Sequence, residues 1–233
     1  MKFRRESVIC WLSLCAAASA EIEGEIPLGI EAVTGIRSGY VHRGFELAET
    51  SLEFQFAGLV TLSKNHSLNF GLSHLAESSG DYSESTGYLE LEHRWSDQFR
   101  TGISATYRNR TRGILDSGMD LGVYSSFAIN DDWEWRNEIN WDFGPDGLYV
   151  ASELTWSHPL SEKTFISASG GVSILADYAD RDGLNDLFTR LSLNYAFSKQ
   201  VAFTPFLGAS IQLDDDSPGD DVFYGGLWFQ VIF

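Results

Sequence analysis

Arg37, Arg43, Glu53, Glu90, Glu92, Arg94, Arg100, Arg108, Asp120, Glu134, Arg136, Glu138, Asp142, Glu153 and Arg190 fall on one parity of strand-like stretches in this 233-residue chain. Both signs are well represented. Gathered on one side of a sheet, such charges can do one of two things. They can pair and fill an enclosed space, or they can line a polar passage whose opposed charges select solutes. Arg108 and Asp120 come opposite each other if the strands flanking residues 111–118 pair across that loop. The five histidines could serve hydrolytic chemistry if one shared a strand face with a serine, as a His-x-Ser spacing would arrange. Their contexts are His42-Arg43-Gly44, His66-Ser67-Leu68, His74-Leu75-Ala76, His93-Arg94-Trp95 and His158-Pro159-Leu160. None is His-x-Ser, and although Ser73 precedes His74, adjacent strand residues point to opposite faces. Asp180-Arg181-Asp182-Gly183 is no calcium loop, because Tyr178 and Thr189 stand where carboxylates should be. We expect no catalytic residue, no metal and no cofactor.

The elements that must position these charges are strands. Alternation of apolar and polar residues predicts twelve, near 30–43, 51–63, 67–76, 85–95, 99–110, 119–129, 133–143, 148–158, 163–175, 186–197, 201–213 and 221–233. Between 133 and 143, Trp133, Trp135, Ile139, Trp141 and Phe143 oppose Glu134, Arg136, Glu138, Asn140 and Asp142. The connections alternate in length. Short ones at 64–66, 96–98, 130–132, 159–162 and 198–200 alternate with mostly longer, Gly-, Ser- and Asp-rich ones at 44–50, 77–84, 111–118, 144–147, 176–185 and 214–220. This is the layout of an all-β, antiparallel, up-and-down transmembrane barrel with short turns on one side of the membrane.

A soluble β-sandwich would also alternate. Strand length decides against it, since these stretches match the membrane requirement and exceed the usual five or six residues. The apolar face carries almost no charge. Aromatics gather at both of its ends, where amphipathic rings favour a membrane interface: Trp95, Phe99, Trp133, Trp156, Phe197 and Phe203 near the short turns, and Tyr40, Tyr107, Trp141, Phe143 and Phe223 near the long loops. The charged face then lines a lumen. Tyr88, Tyr124, Tyr149, Phe165, Phe188, Phe206 and Trp228 would narrow it. Small residues such as Gly102, Gly122, Gly171 and Gly208 would widen one side. No loop is long enough for a substantial plug. A narrow passive channel for small solutes is the expected function. A non-conducting barrel and a lipid-active hydrolase are the alternatives.

The N-terminus has the form of a secretory signal: Lys2, Arg4 and Arg5, an apolar run from Val8 to Ala18, and Ala18-Ser19-Ala20 as a cleavage site. Residues 1–20 are therefore expected to leave and residues 21–233 to form the barrel. Cys10 and Cys15 leave with the signal, so no disulfide is available. Removing Lys2, Arg4, Arg5 and Glu6 takes the basic count from 16 to 13, the acidic count from 33 to 32 and the net charge from −17 to −19. Such acidity excludes nucleic acid as a partner. No later stretch approaches 18 consecutive apolar residues, so insertion must be as a closed barrel. The acidic loops, Asp214-Asp215-Asp216 above all, read as solvated loop tips, or more sharply as a rim that repels anions or that bridges to neighbouring lipopolysaccharide through divalent cations.

The last strand alternates up to a terminal Phe233, which resembles the sorting signal that barrel-assembly machinery reads in bacterial outer-membrane barrels. Ser38-Gly39-Tyr40-Val41-His42-Arg43-Gly44 is similar to the S-x-Y-x-x-R-G segment of the TorF-like putative porins. These resemblances imply a monomeric porin-like barrel in the cell outer membrane, embedded in its lipid, with Arg43 at the outer rim of the first strand.

Overall fold

The computed structural model describes residues 28–214 and 220–233. The expected signal segment, and Asp215 and Asp216 of the acidic loop, lie outside the described residues. The chain forms a closed antiparallel barrel from β1 (Leu28–Arg37), β4 (Ser51–Ser63), β5 (His66–Glu77), β6 (Ser83–Arg94), β7 (Phe99–Thr111), β8 (Gly118–Ala128), β9 (Trp133–Asp142), β10 (Gly147–Pro159), β11 (Thr164–Tyr178), β12 (Arg181–Ala196), β13 (Val201–Gln212) and β14 (Val222–Ile232). A separate hairpin, β2 (Tyr40–His42) and β3 (Phe45–Ala48), interrupts the series. Each barrel strand pairs with its chain neighbour, and β1 meets β14 from Glu31↔Ile232 to Arg37↔Gly226. Closure leaves no unpaired edge.

The parity expected from the sequence sets the two walls. Leu72, Ile103 and Phe54 are 65%, 58% and 55% exposed on the outer wall, although they sit in the middle of ordered strands. A contiguous apolar belt of this extent is untenable in water. Around a closed barrel, where every backbone group has an internal partner, it is the surface that meets hydrocarbon. Trp95, Phe99, Trp133 and Phe197 mark its short-turn end; Tyr107, Trp141, Phe143 and Phe223 mark the other.

Four expectations are corrected. The stretch 30–43 is not one strand: β1 stops at Arg37, where the Ser38 hydroxyl takes the Gly225 backbone N–H at 3.0 Å and the chain turns inward. The stretch 176–185 is not a loop: β11 and β12 continue to a two-residue turn at Ala179 and Asp180, both with positive φ (51° and 63°), the geometry that tight hairpins favour. Arg108 lies opposite Gly118, and Asp120 opposite Thr106, so the expected register is shifted by two and the pair meets along a diagonal. Finally, the inward glycines do not widen one side of the bore. Gly102 lies beneath the Tyr124 ring, Gly171 beneath Phe188 and Gly208 beneath Tyr224, while Gly122 is covered by the Asn140 and Ser104 side chains.

Candidate functional site

The outer end of the lumen is shut by the β2–β3 hairpin. Arg43 and Gly44 form its tip, both with positive φ (53° and 79°). A non-glycine residue there costs on the order of 1 kcal/mol. Its side chain repays that cost at the far wall: Arg43 Nη1 donates to Asp142 Oδ2 at 3.2 Å and to the Tyr178 hydroxyl at 3.3 Å, and Nη2 donates to Asp120. Asn185 Nδ2 donates to the Arg43 carbonyl at 3.0 Å, and Gln212 Nε2 to the Gly44 carbonyl at 2.7 Å. The Tyr40 hydroxyl donates to Glu84 Oε1 at 2.8 Å. A hairpin rooted on β1 thus touches β6, β8, β9, β11, β12 and β13. Phe45 seals it apolarly, packed with Leu115, Tyr149, Leu175 and Tyr178. Gly44 is required for space as well as conformation, because an added Cβ would meet Asn185 Nδ2 at 2.5 Å.

The expectation that no loop is long enough for a large plug or a substantial constriction fold missed this short hairpin, and the placement of Arg43 at the outer rim is corrected. A twelve-stranded bore is narrow enough that one short hairpin laid across it suffices. Tyr40, expected in the lipid-facing girdle, is inside and bound to Glu84. Burial chiefly, then the Glu84 charge, holds its phenol well above the ordinary range. His42 is half-buried in the same hairpin, and its Nε2 is buried with no hydrogen-bond partner. Burial first, then the positive charges of Arg108, Arg43 and Arg110, hold its pKa well below the usual value.

Beneath the hairpin lies a layer of paired charges. Glu84 accepts from Tyr82 at 3.0 Å and from Arg110 Nε at 2.8 Å, and Arg108 reaches Asp120 at 3.1 Å. Asp186 accepts from the Ser210 hydroxyl at 2.6 Å and also from Ser173. Below this the lumen is hollow. A cavity of about 1920 Å³ opens among the short turns, where Lys64, Asp97, Asp131, Lys163 and Lys199 border it, and runs up to Arg136, Glu153, Arg190 and Trp228. Its β6–β9 wall is an ion-pair network: Arg100 bridges Glu134 at 2.7 Å and Glu92 at 3.4 Å, and Arg136 lies 3.6 Å from Glu90. The Tyr124 hydroxyl is 3.0 Å from Glu90 and 3.1 Å from Glu92, and its ring lies under the Arg136 guanidinium at 3.9 Å. The β11–β14 wall is milder, with Ser167, Ser169, Asn194, Trp228 and Gln230.

The charges singled out in the sequence divide among these levels. Glu90, Glu92, Arg94, Arg100, Glu134, Arg136, Glu153 and Arg190 line the cavity. Arg43, Arg108, Asp120 and Asp142 lie in the closed outer half. Arg37 pairs with Glu53 at 3.4 Å, and Glu138 stands 3.8 Å from Arg136. Sequence reasoning missed the roles of Glu84 and Arg110. Their signal was parity, since Glu84 keeps even spacing with Glu90 and Glu92, and Arg110 with Arg108. It also missed a pairing that no His-x-Ser spacing announces. On the outer wall His74 lies opposite Ser85 in register, with Nδ1 and the hydroxyl 2.9 Å apart.

No family model matches the chain, and no curated protein matches it. Solved structures do. The KdgM porin superposes with a TM-score of 0.59 at 8% identity, covering 88% of this chain and 99% of that one. The COG4313 outer membrane channel from Pseudomonas putida F1 gives 0.59 at 13% identity, over 90% and 96% of the two chains. This is the fold of outer-membrane porin-like barrels. LpxR from Salmonella typhimurium, which is not named as a channel, gives 0.55 at 10% identity over 88% and 100%. At such identities the likeness concerns the fold, which by itself does not fix an activity.

Proposed function

We propose that the chain is an outer-membrane channel for small polar solutes, shut at its outer end in the described state by its own β2–β3 hairpin. The cavity carries this reading. A barrel built only for strength would be filled along its length, whereas this one keeps about 1920 Å³ of polar space open to the short-turn side. The hairpin above it is seated by hydrogen bonds, ion pairs and two small apolar clusters, contacts that water and lumen groups can replace on opening. The cavity wall carries charges of both signs, which suits discrimination by arrangement of charge rather than by net charge.

The finer resemblance to TorF-like putative porins rests on Ser38, Tyr40, Arg43 and Gly44. These four seat the hairpin: Ser38 on β14, Tyr40 on Glu84, Arg43 on β8 and β9, and Gly44 at the tip. Residence in the outer membrane as a monomer, removal of residues 1–20, assembly through Phe233 and contact of the acidic loops with lipopolysaccharide belong to the same reading. Planar-bilayer recording tests it. The full mature barrel should give small, infrequent steps, and deletion of residues 40–47 should give larger and more frequent ones. Neutralising Arg136 or Glu138 should shift ion selectivity. Silence from both proteins at all voltages removes the channel.

The hydrolase reading has one observation in its favour, the Ser85–His74 contact on the lipid-facing wall. No carboxylate among the described residues hydrogen-bonds His74. Ester hydrolysis by the folded protein that disappears in S85A would establish this reading.

A further inference from the structure

Arg190 and Glu153 both face the cavity, and each lacks the partner its neighbourhood could have supplied. The Arg190 guanidinium stacks over Trp228 at 4.0 Å and Phe206 at 4.3 Å. Its Nη2 is buried with no hydrogen bond. The Glu53 carboxylate is occupied instead by Arg37 at 3.4 Å, by Trp228 Nε1 at 3.3 Å and by Gln55. Across the lumen wall, Glu153 lies directly opposite Arg136 in register. Arg136 turns away to Glu90, Glu138 and the Tyr124 ring. Among the described residues neither Glu153 nor Arg190 has an ion pair.

Their spacing follows from the register. Thr155 pairs with Ser169, and Ser169 with Arg190, so Glu153 stands two strands away and two residues along. That is about 10 Å across the strands and about 7 Å along them. In this structure the two side chains project into one space without pairing, and one small molecule can bridge them. An unpaired charge inside a narrow lumen is costly unless its complement arrives. A molecule with both charges completes both groups at once.

We propose that the blind end of the cavity binds zwitterionic solutes, small molecules carrying a carboxylate and an ammonium group, with the carboxylate on Arg190 and the ammonium on Glu153. The exposed part of the Trp228 ring and the Ser167 and Ser169 hydroxyls border the space between them. This deepens the reading of the cavity as a solute path and rests on it.

Calorimetric titration of the folded full-length barrel in detergent tests the site without requiring conduction. The probes are glycine, β-alanine, 4-aminobutyrate and 6-aminohexanoate, with propionate and propylammonium as single-charge references. One chain length should bind at least tenfold more tightly than either reference. E153Q should reduce it to the level of propionate and R190Q to the level of propylammonium, while R190K keeps most of the affinity. Propionate binding as well as the best zwitterion, or no dependence on chain length, overturns the proposal. The length series on the unaltered protein decides this even if a variant fails to fold. Bilayer recording on the same preparation separates the two readings. Conductance without zwitterion binding removes the site and leaves the channel; binding without conductance removes the channel and leaves the site.

Discussion

Arg43 accepts an unfavourable backbone so that its guanidinium can cross the bore, and the two carboxylates it meets are themselves buried (Asp120 and Asp142, 2% and 1% exposed). Removing one partner of a buried ion pair costs about 3–5 kcal/mol, mostly through the charge left behind. R43A should therefore unseat the hairpin and raise channel open probability in bilayer recordings. R43K should also weaken the closure, since a point charge cannot serve Asp142 and Asp120 through two separate donors. His42 adds a dependence on pH. In the closed hairpin its proton affinity is depressed, with Arg108, Arg43 and Arg110 facing it and Asp120, Asp142, Glu84 and Tyr40 in the same space. Released, it returns to an ordinary value of about 6.5. Above that pH neither state binds the proton and closure keeps its full strength. Below it the released form takes up a proton that the closed form refuses, so closure weakens by up to about tenfold per pH unit. Open probability should rise between pH 7.5 and 5.5, and H42Q should flatten that response.

At the scale of elements, strand existence and facing were legible because hydrophobic alternation has a period of two and a membrane barrel enforces it on both sides. Trp133 to Phe143 could be read either way round, and strand length decided it. The hairpin was not legible. Tyr40 and His42 continue the alternation of β1, and only the Ser38–Gly225 bond and the left-handed pair Arg43–Gly44 show that the chain has left the wall. Those are long-range and conformational facts, which local pattern does not carry. The ring-over-glycine pairs were invisible for the same reason, since Gly102 and Tyr124 are adjacent only once the register is set. Filling such a position should be costly. G102V forces the Tyr124 ring off Glu90 and Glu92 and should destabilise the barrel by about 1–3 kcal/mol, read as a lower temperature for loss of the compact band on heat-modifiability gels.

For the whole molecule the decisive quantity is the solvent each wall expects. Leu72 lies mid-strand on the outer wall at 65% exposure. L72R should cost about 2–4 kcal/mol of folding free energy in lipid if it sits near the bilayer midplane, measured by reversible unfolding in vesicles. The inner wall divides into two halves, and composition alone did not reveal it, because paired and unpaired charges look alike in a sequence. Arg108 and Arg190 share a parity and a residue type, yet one is locked to Asp120 and the other stacks on Trp228 and Phe206 with no ion pair among the described residues.

That division makes the molecule one-sided. With the hairpin seated, Ser169 and Arg190 communicate with the compartment beside the short turns and are screened from the opposite bulk phase. A cysteine placed at Ser169 in vesicles of known orientation should react with an impermeant thiol reagent added to one bath and stay untouched by the same reagent in the other, until acid or the loss of Arg43 makes the two baths equivalent.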